Sequence, residues 1–159
     1  MGQRGKDYVN ERLDSVRGIM CQSKLDALLV TGIENVRYLT GFTGSSAVAV
    51  ITREDAHLVT DGRYREQAAG ETVCNVVIFD DTMVTAVTRL LEGAALVGFE
   101  ESVPFELYRK LKGALGDSCE LELTAGLVEE LRSLKDGGEV DLITGAIHCA
   151  CVAFGRARH

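Results

Sequence analysis

The sequence predicts an α/β fold, a mixed six-stranded sheet flanked by helices. Three observations carry that reading. Short apolar runs of strand type recur six times along the chain. Segments with apolar residues every three or four positions stand between most of them. One polar turn, "REDA" (53–56), joins two strand-like runs directly, which adds an antiparallel hairpin to strands otherwise crossed over by helices.

The elements follow in order. Val9, Leu13, Val16 and Met20 recur at helical spacing and predict an opening helix over 7–21. "ALLVT" (27–31) is a continuous apolar run ending in turn residues, a buried strand. In "TGIE", Thr31 and Glu34 have the spacing of a capping box, which predicts a short helix ended near Gly41. "AVAVIT" (47–52) and "HLVTD" (57–61) form the hairpin. "GRYREQAAGE" (62–71) reads as a short helix, "CNVVIF" (74–79) as a strand, and 82–92 as a helix. "LVGFE" (96–100) is the next strand, and Pro104 suits the first turn of the amphipathic helix "FELYRKLKGAL". "CELEL" alternates as a half-buried strand and "GLVEELRSL" is helical. From "DGGEV" onward, Val140, Ile143, Ile147, Cys151 and Phe154 draw an apolar stripe on one last helix. The pattern is still running at "GRARH", so the expected division is a domain over 1–136 and the start of a linker helix over 137–159.

The 159 residues, 46% of them apolar, suffice for the core of one ordinary domain. A formal charge of −7 without a basic cluster longer than a pair argues against nucleic acid or an anionic membrane as partner. The N-terminus has no signal-peptide core, and no run approaches ~18 consecutive apolar residues. The expected location is the cytoplasm. Five cysteines, an odd number without C-x-x-C spacing, read as reduced thiols acting as small core hydrophobes rather than as metal ligands.

Several catalytic motifs fail on geometry. "GFTGSS" leads into a strand, whereas an anion cradle opens onto a helix N-terminus, and the Walker Lys-Ser/Thr pair is missing. Ser46 lacks the glycine that a nucleophile elbow needs two residues later. His57 and His148 are paired with no carboxylate by the sequence, and Asp141 with His148 would make only two metal ligands. "DGRYREQA" (61–68) sits at a strand's carboxyl end, where sheet ligands often bind. The competing reading is a helix start capped by Asp61, with Arg63 and Arg65 in solvent. In "NVRYLTGFTGSSA" (35–47) two large rings stand in a turn region. The spacing of Tyr38 from Glu34 and Asn35 puts its ring on a helical face able to pack on "ALLVT". Phe42 follows Gly41 and precedes "TGSS", where packing is least determined.

Three landmarks occur in order: N-x-x-Y-L-T-G-F (35–42), V-T-D-x-R-Y (59–64) and E-L-R-x-x-K-D-x-x-E (130–139), with "VGFE" between the last two. Over nearly its whole length the chain resembles the N-terminal domain of the prolidase, aminopeptidase P and creatinase family. "GGEV" departs from the charged residues usual in that family at this point. The resemblance implies a larger "pita-bread" catalytic domain after the linker helix. That domain would hold two divalent metal ions on an Asp, Asp, His, Glu, Glu set, leaving no catalytic residue and no metal ligand here. It implies a homodimer acting on proline-containing peptides at Xaa-Pro bonds, with this domain serving dimerisation and capping the partner subunit's active site. The residues expected to cap are Phe42 and Tyr38, with Arg37 or Arg63 as polar neighbour. The alternative is a peptide-binding or scaffold module of the same fold without hydrolysis; a creatinase-like small-molecule hydrolase is a third reading.

Overall fold

The structure, a computed structural model, describes residues 2–158. Its elements are α1 (Gln3–Gln22), β1 (Ala27–Val30), α2 (Ile33–Thr40), β2 (Ala47–Thr52), β3 (Ala56–Thr60), α3 (Arg65–Glu71), β4 (Asn75–Ile78), α4 (Met83–Leu90), β5 (Leu96–Glu100), α5 (Phe105–Leu115), β6 (Glu120–Thr124), α6 (Leu127–Ser133) and α7 (Gly137–Ala157). The strands form one sheet in the order β4-β3-β2-β1-β5-β6. β3 with β4, β1 with β5, and β5 with β6 are parallel; β2 with β3 and β1 with β2 are antiparallel. The predicted hairpin is there, and the antiparallel β1–β2 pair, joined through α2, adds to it.

Strand periodicity explains the two cores. All four residues of β1 are buried, yet Leu28 and Val30 point to one face while Ala27 and Leu29 point to the other. The first face is covered by α1 through Val9, Leu13, Val16 and Met20, the residues whose spacing announced the helix, and by α2, α3 and α6. The second is covered by α4 and α5 through Val87, Leu91 and Leu111. Each such buried aliphatic side chain stabilises the fold by roughly 1.5–3 kcal/mol.

Three local expectations are corrected. Thr31 and Glu34 make no capping box: the N-cap of α2 is Gly32, without a side-chain cap. The buried carboxylate of Glu100, at the end of β5, instead accepts the amides of Thr31 and Gly32, each at 2.7 Å. The other end of α2 is as read, with Gly41 at φ 77° and its amide on Arg37 O. Residues 62–71 begin as a 3-10 turn, Gly62–Tyr64, before α3 starts. Among the five cysteines, Cys74 and Cys119 are core residues, but Cys21, Cys149 and Cys151 are exposed. The first of those three lies on the outer face of α1 and the other two on a helix that nothing covers.

That helix is α7. Asp136 and Glu139 form a reciprocal capping box at its start, but no residue along it is buried. Leu142, Ile143, Ile147 and Phe154 all stand in solvent. Although the sequence has no unbroken run of ~18 apolar residues, α7 is long and apolar enough to cross a bilayer, with a mean hydropathy of 1.3.

Candidate functional site

A cleft of about 540 Å³ lies between α1, α2 and the first turns of α7. Its walls include Tyr8, Arg12, Arg37, Tyr38, Arg132 and Glu139. The floor is set by Tyr38, whose side chain lies on the buried face of α2 and is 9% exposed. Arg12 reaches across from α1, its guanidinium 4.2 Å from the Tyr38 ring centroid. It donates to Tyr38 O at 2.8 Å, and from Nε and Nη2 to Asp136 Oδ2 at 2.9 and 2.5 Å. The paired Arg12 is thus a fixed part of the wall. Burial by itself raises the Tyr38 hydroxyl's pKa.

α2 is held in place by a polar network under the cleft. The Asn35 amide donates to Glu100 Oε1 at 2.6 Å and to Glu129 Oε1 at 2.5 Å, while its oxygen accepts from Arg132 Nη1 at 2.8 Å. Arg37, on the outward face of α2, is exposed and lines the cleft.

Burial would raise the Asp136 carboxyl, but the Glu139 amide and Arg12 outweigh it and leave the group below the usual carboxylate range. A depressed folded-state pKa contributes stability that is fully present above the unfolded value of roughly 3.9. That stability is lost as pH falls through the lower folded value. Amide exchange at Glu139 should therefore accelerate, relative to the sheet amides, only below about pH 4. Exchange that is already fast at neutral pH would contradict this hold on α7.

Of the four residues expected to cap a partner's cleft, the structure brings Arg37 and Tyr38 to this one and sends the others elsewhere. Tyr38 takes the core option left open for it. Phe42 is corrected: it is 0% exposed, packed in the first core. A ring without accessible surface cannot wall another subunit's cleft. Its loop is not loose either. Thr43 donates its amide and hydroxyl to Glu71, at 2.7 and 2.9 Å, and a Cβ on Gly44 would overlap the Phe42 ring. The Tyr64 ring meets Phe42 edge to face, centroids 5.5 Å apart at 87°. Arg63 lies over the Tyr64 ring, 5.5 Å from its centroid. It pairs with Asp61, whose carboxyl it holds down to about 2. Asp61 also accepts the Arg63 amide at 3.0 Å, so the capping reading of 61–68 describes this segment.

Sequence reasoning passed over Arg12, Asn35 and Glu100. Arg12 was an ordinary polar position on an amphipathic helix; Asn35 and Glu100 were visible only as members of landmarks. Among the described residues, no three His, Cys, Asp or Glu side chains converge as a metal site would need. Among those residues the donor set for two divalent ions fits no place. The imidazole Nδ1 of His57 is buried without a partner.

The comparisons agree with this geometry. The profile of the Creatinase/Prolidase N-terminal domain matches residues 12–134. The chain is 33% identical over 147 residues to "Uncharacterized peptidase YqhT" of Bacillus subtilis, covering 90% of this chain and 41% of that protein. Its fold superposes on a Xaa-Pro dipeptidase from Bacillus anthracis with a TM-score of 0.86 at 29% identity, over 93% of this chain and 42% of the other. The N-terminal domain of the cytoplasmic peptidase PepQ from Mycobacterium tuberculosis matches with a TM-score of 0.71 at 38% identity, over 76% of this chain and 98% of that one. The chain thus spans about two fifths of the longer relatives and nearly all of a solved N-terminal domain. With its mixed six-stranded sheet and a profile match over residues 12–134, the chain belongs to the creatinase/prolidase N-terminal domain family.

Proposed function

We propose that this chain is the non-catalytic N-terminal domain of a metal-dependent peptidase that cleaves next to proline. In this reading it serves dimerisation and walls the partner subunit's active site with Arg37. The observation that carries it is the match to the Bacillus anthracis Xaa-Pro dipeptidase, which spans nearly all of this chain but 42% of that one. Two divalent ions and their ligands then belong to the segment that follows α7, and the bare apolar face of α7 packs against that segment. Arg37 suits the capping role because it is exposed and sits on a helix pinned at both ends. Five unpaired thiols support a cytoplasmic setting.

The test uses a longer chain that continues past residue 159, assayed on Xaa-Pro dipeptides and proline-containing tripeptides with and without divalent metal. Arg37→Ala should lower kcat/KM by about tenfold, the loss of roughly 1.4 kcal/mol of transition-state binding. The thermal midpoint should stay where it is, because the side chain is not packed. Binding of such peptides without hydrolysis would favour the scaffold reading. Unchanged kcat/KM in Arg37→Ala would remove Arg37 from the capping role, and a monomer in sedimentation would remove dimerisation.

A further inference from the structure

Arg4, Tyr8 and Arg12 are four residues apart and therefore stack along one ridge of α1. Each of the three addresses the start of α7. Arg12 holds the N-cap Asp136 and stands 3.6 Å from Glu139. The Tyr8 ring occupies the space beside the next two residues. A Cβ added at Gly137 would come 2.9 Å from the Tyr8 hydroxyl, and one at Gly138 would come 2.8 Å from two ring carbons. Arg4 lies over the same ring, 5.8 Å from its centroid, and reaches Asp141 at 3.6 Å. Beyond Asp141, α7 continues to Ala157 without a buried residue.

Two successive glycines are a poor way to begin a helix, because glycine loses the most backbone entropy on becoming helical. Here they are what the packing allows. A side chain at either position must push Tyr8 aside or move the axis of α7. The double glycine that sets this sequence apart at "GGEV" is thus matched to the tyrosine on α1.

We propose that the Arg4–Tyr8–Arg12 ridge fixes the direction in which α7 leaves the domain, with Arg12 as the clamp and Tyr8 as the steric stop. The glycine pair lets the two helices approach. Arg12 and Tyr8 are positioning residues, since they act through α7. On the peptidase reading above, on which this consequence alone rests, that direction sets where Arg37 stands over the catalytic centre. The cradle itself concerns only this chain.

The experiment therefore uses residues 1–159 and no activity assay. Spin labels on bioorthogonal amino acids at Glu54 and Val152, both exposed, report the distance from domain to helix. The original chain should give one narrow distribution. Gly138→Ala should shift or broaden it, although alanine favours a helix wherever space is open. Tyr8→Ala should broaden it, and the double variant should lie closer to the original than either single change, the non-additivity expected of a direct contact. Arg12→Gln, which keeps much of the side chain's bulk but loses the charge, should broaden it while the sheet amides keep their exchange protection. A broad distribution in the original chain, an unchanged one in Gly138→Ala, or simple addition of the Tyr8 and Gly138 effects would each overturn the proposal. Failure of the longer chain to cleave peptides would leave the cradle intact and reject the peptidase reading instead.

Discussion

Phe42→Ala should lower the stability of the chain by about 3–5 kcal/mol, as truncation of a fully buried phenylalanine does. The ring is without solvent exposure, and Tyr64 meets it edge to face. An aromatic pair of this geometry adds about 0.5–1.5 kcal/mol beyond burial. Relaxation should not fill the hole cheaply on the Gly44 side, because the chain there is already tied down by Thr43 and Glu71. Urea unfolding should show the midpoint falling with the slope unchanged. Phe42→Leu, which keeps most of the apolar volume, should cost clearly less. A midpoint that stays put in Phe42→Ala would mean that the ring is not part of the core. The ring expected from its turn-rich setting to cap a partner's cleft is a core residue, so its truncation acts on stability.

Glu100→Ala should be comparably damaging, on the order of 3–5 kcal/mol, because it strips acceptors from several donors at once. The carboxylate, 5% exposed, takes the amides of Thr31 and Gly32 and the side-chain amide of Asn35. Hydrogen bonds to a charged group are worth about 1.5–3 kcal/mol each, and a buried donor left alone costs about 1–3 kcal/mol. Water can re-enter part of the space, which is why the sum is not reached. Glu100→Gln is no safe substitute. Its oxygen can take the two backbone amides, but its NH₂ then faces the NH₂ of Asn35. Turning Asn35 over would point its NH₂ at Arg132. Exchange of the Thr31 and Gly32 amides should accelerate in both variants. If those two amides keep their protection in Glu100→Ala, the carboxylate is not what holds the start of α2. Because α2 carries Arg37 and Tyr38, the loss should also loosen the cleft.

The first and last landmarks and "VGFE" form one neighbourhood. Asn35 and Tyr38 come from the first, Glu100 from "VGFE", and Arg132, Asp136 and Glu139 from the last; Arg12 ties the last to the first. From the middle landmark, Tyr64 meets Phe42 instead, with Arg63 over the Tyr64 ring and paired with Asp61. The order of the motifs was therefore legible as a resemblance, while their purpose was not, since none of the partners is close in sequence.

What the sequence by itself determined is the part written in short periods. Six strands, the opening helix on Val9, Leu13, Val16 and Met20, the left-handed Gly41 stop and the family were all readable, because burial on one face imposes a repeat of two or about 3.6 residues. Only the tertiary structure decided what happens at single positions between those repeats. The start of α2 was read as a local cap, yet a carboxylate 68 residues away caps it. Phe42 stood in a turn-rich stretch with no period to place it, and it is buried in the first core with Tyr64, which follows β3, against its ring. The glycines of "GGEV" looked like a mild departure until Tyr8, far back in α1, was seen to occupy their side-chain space. Local patterns record which face is covered. They do not record which residue of a distant element supplies the last hydrogen bond or the last contact, and that choice is made when the layers close.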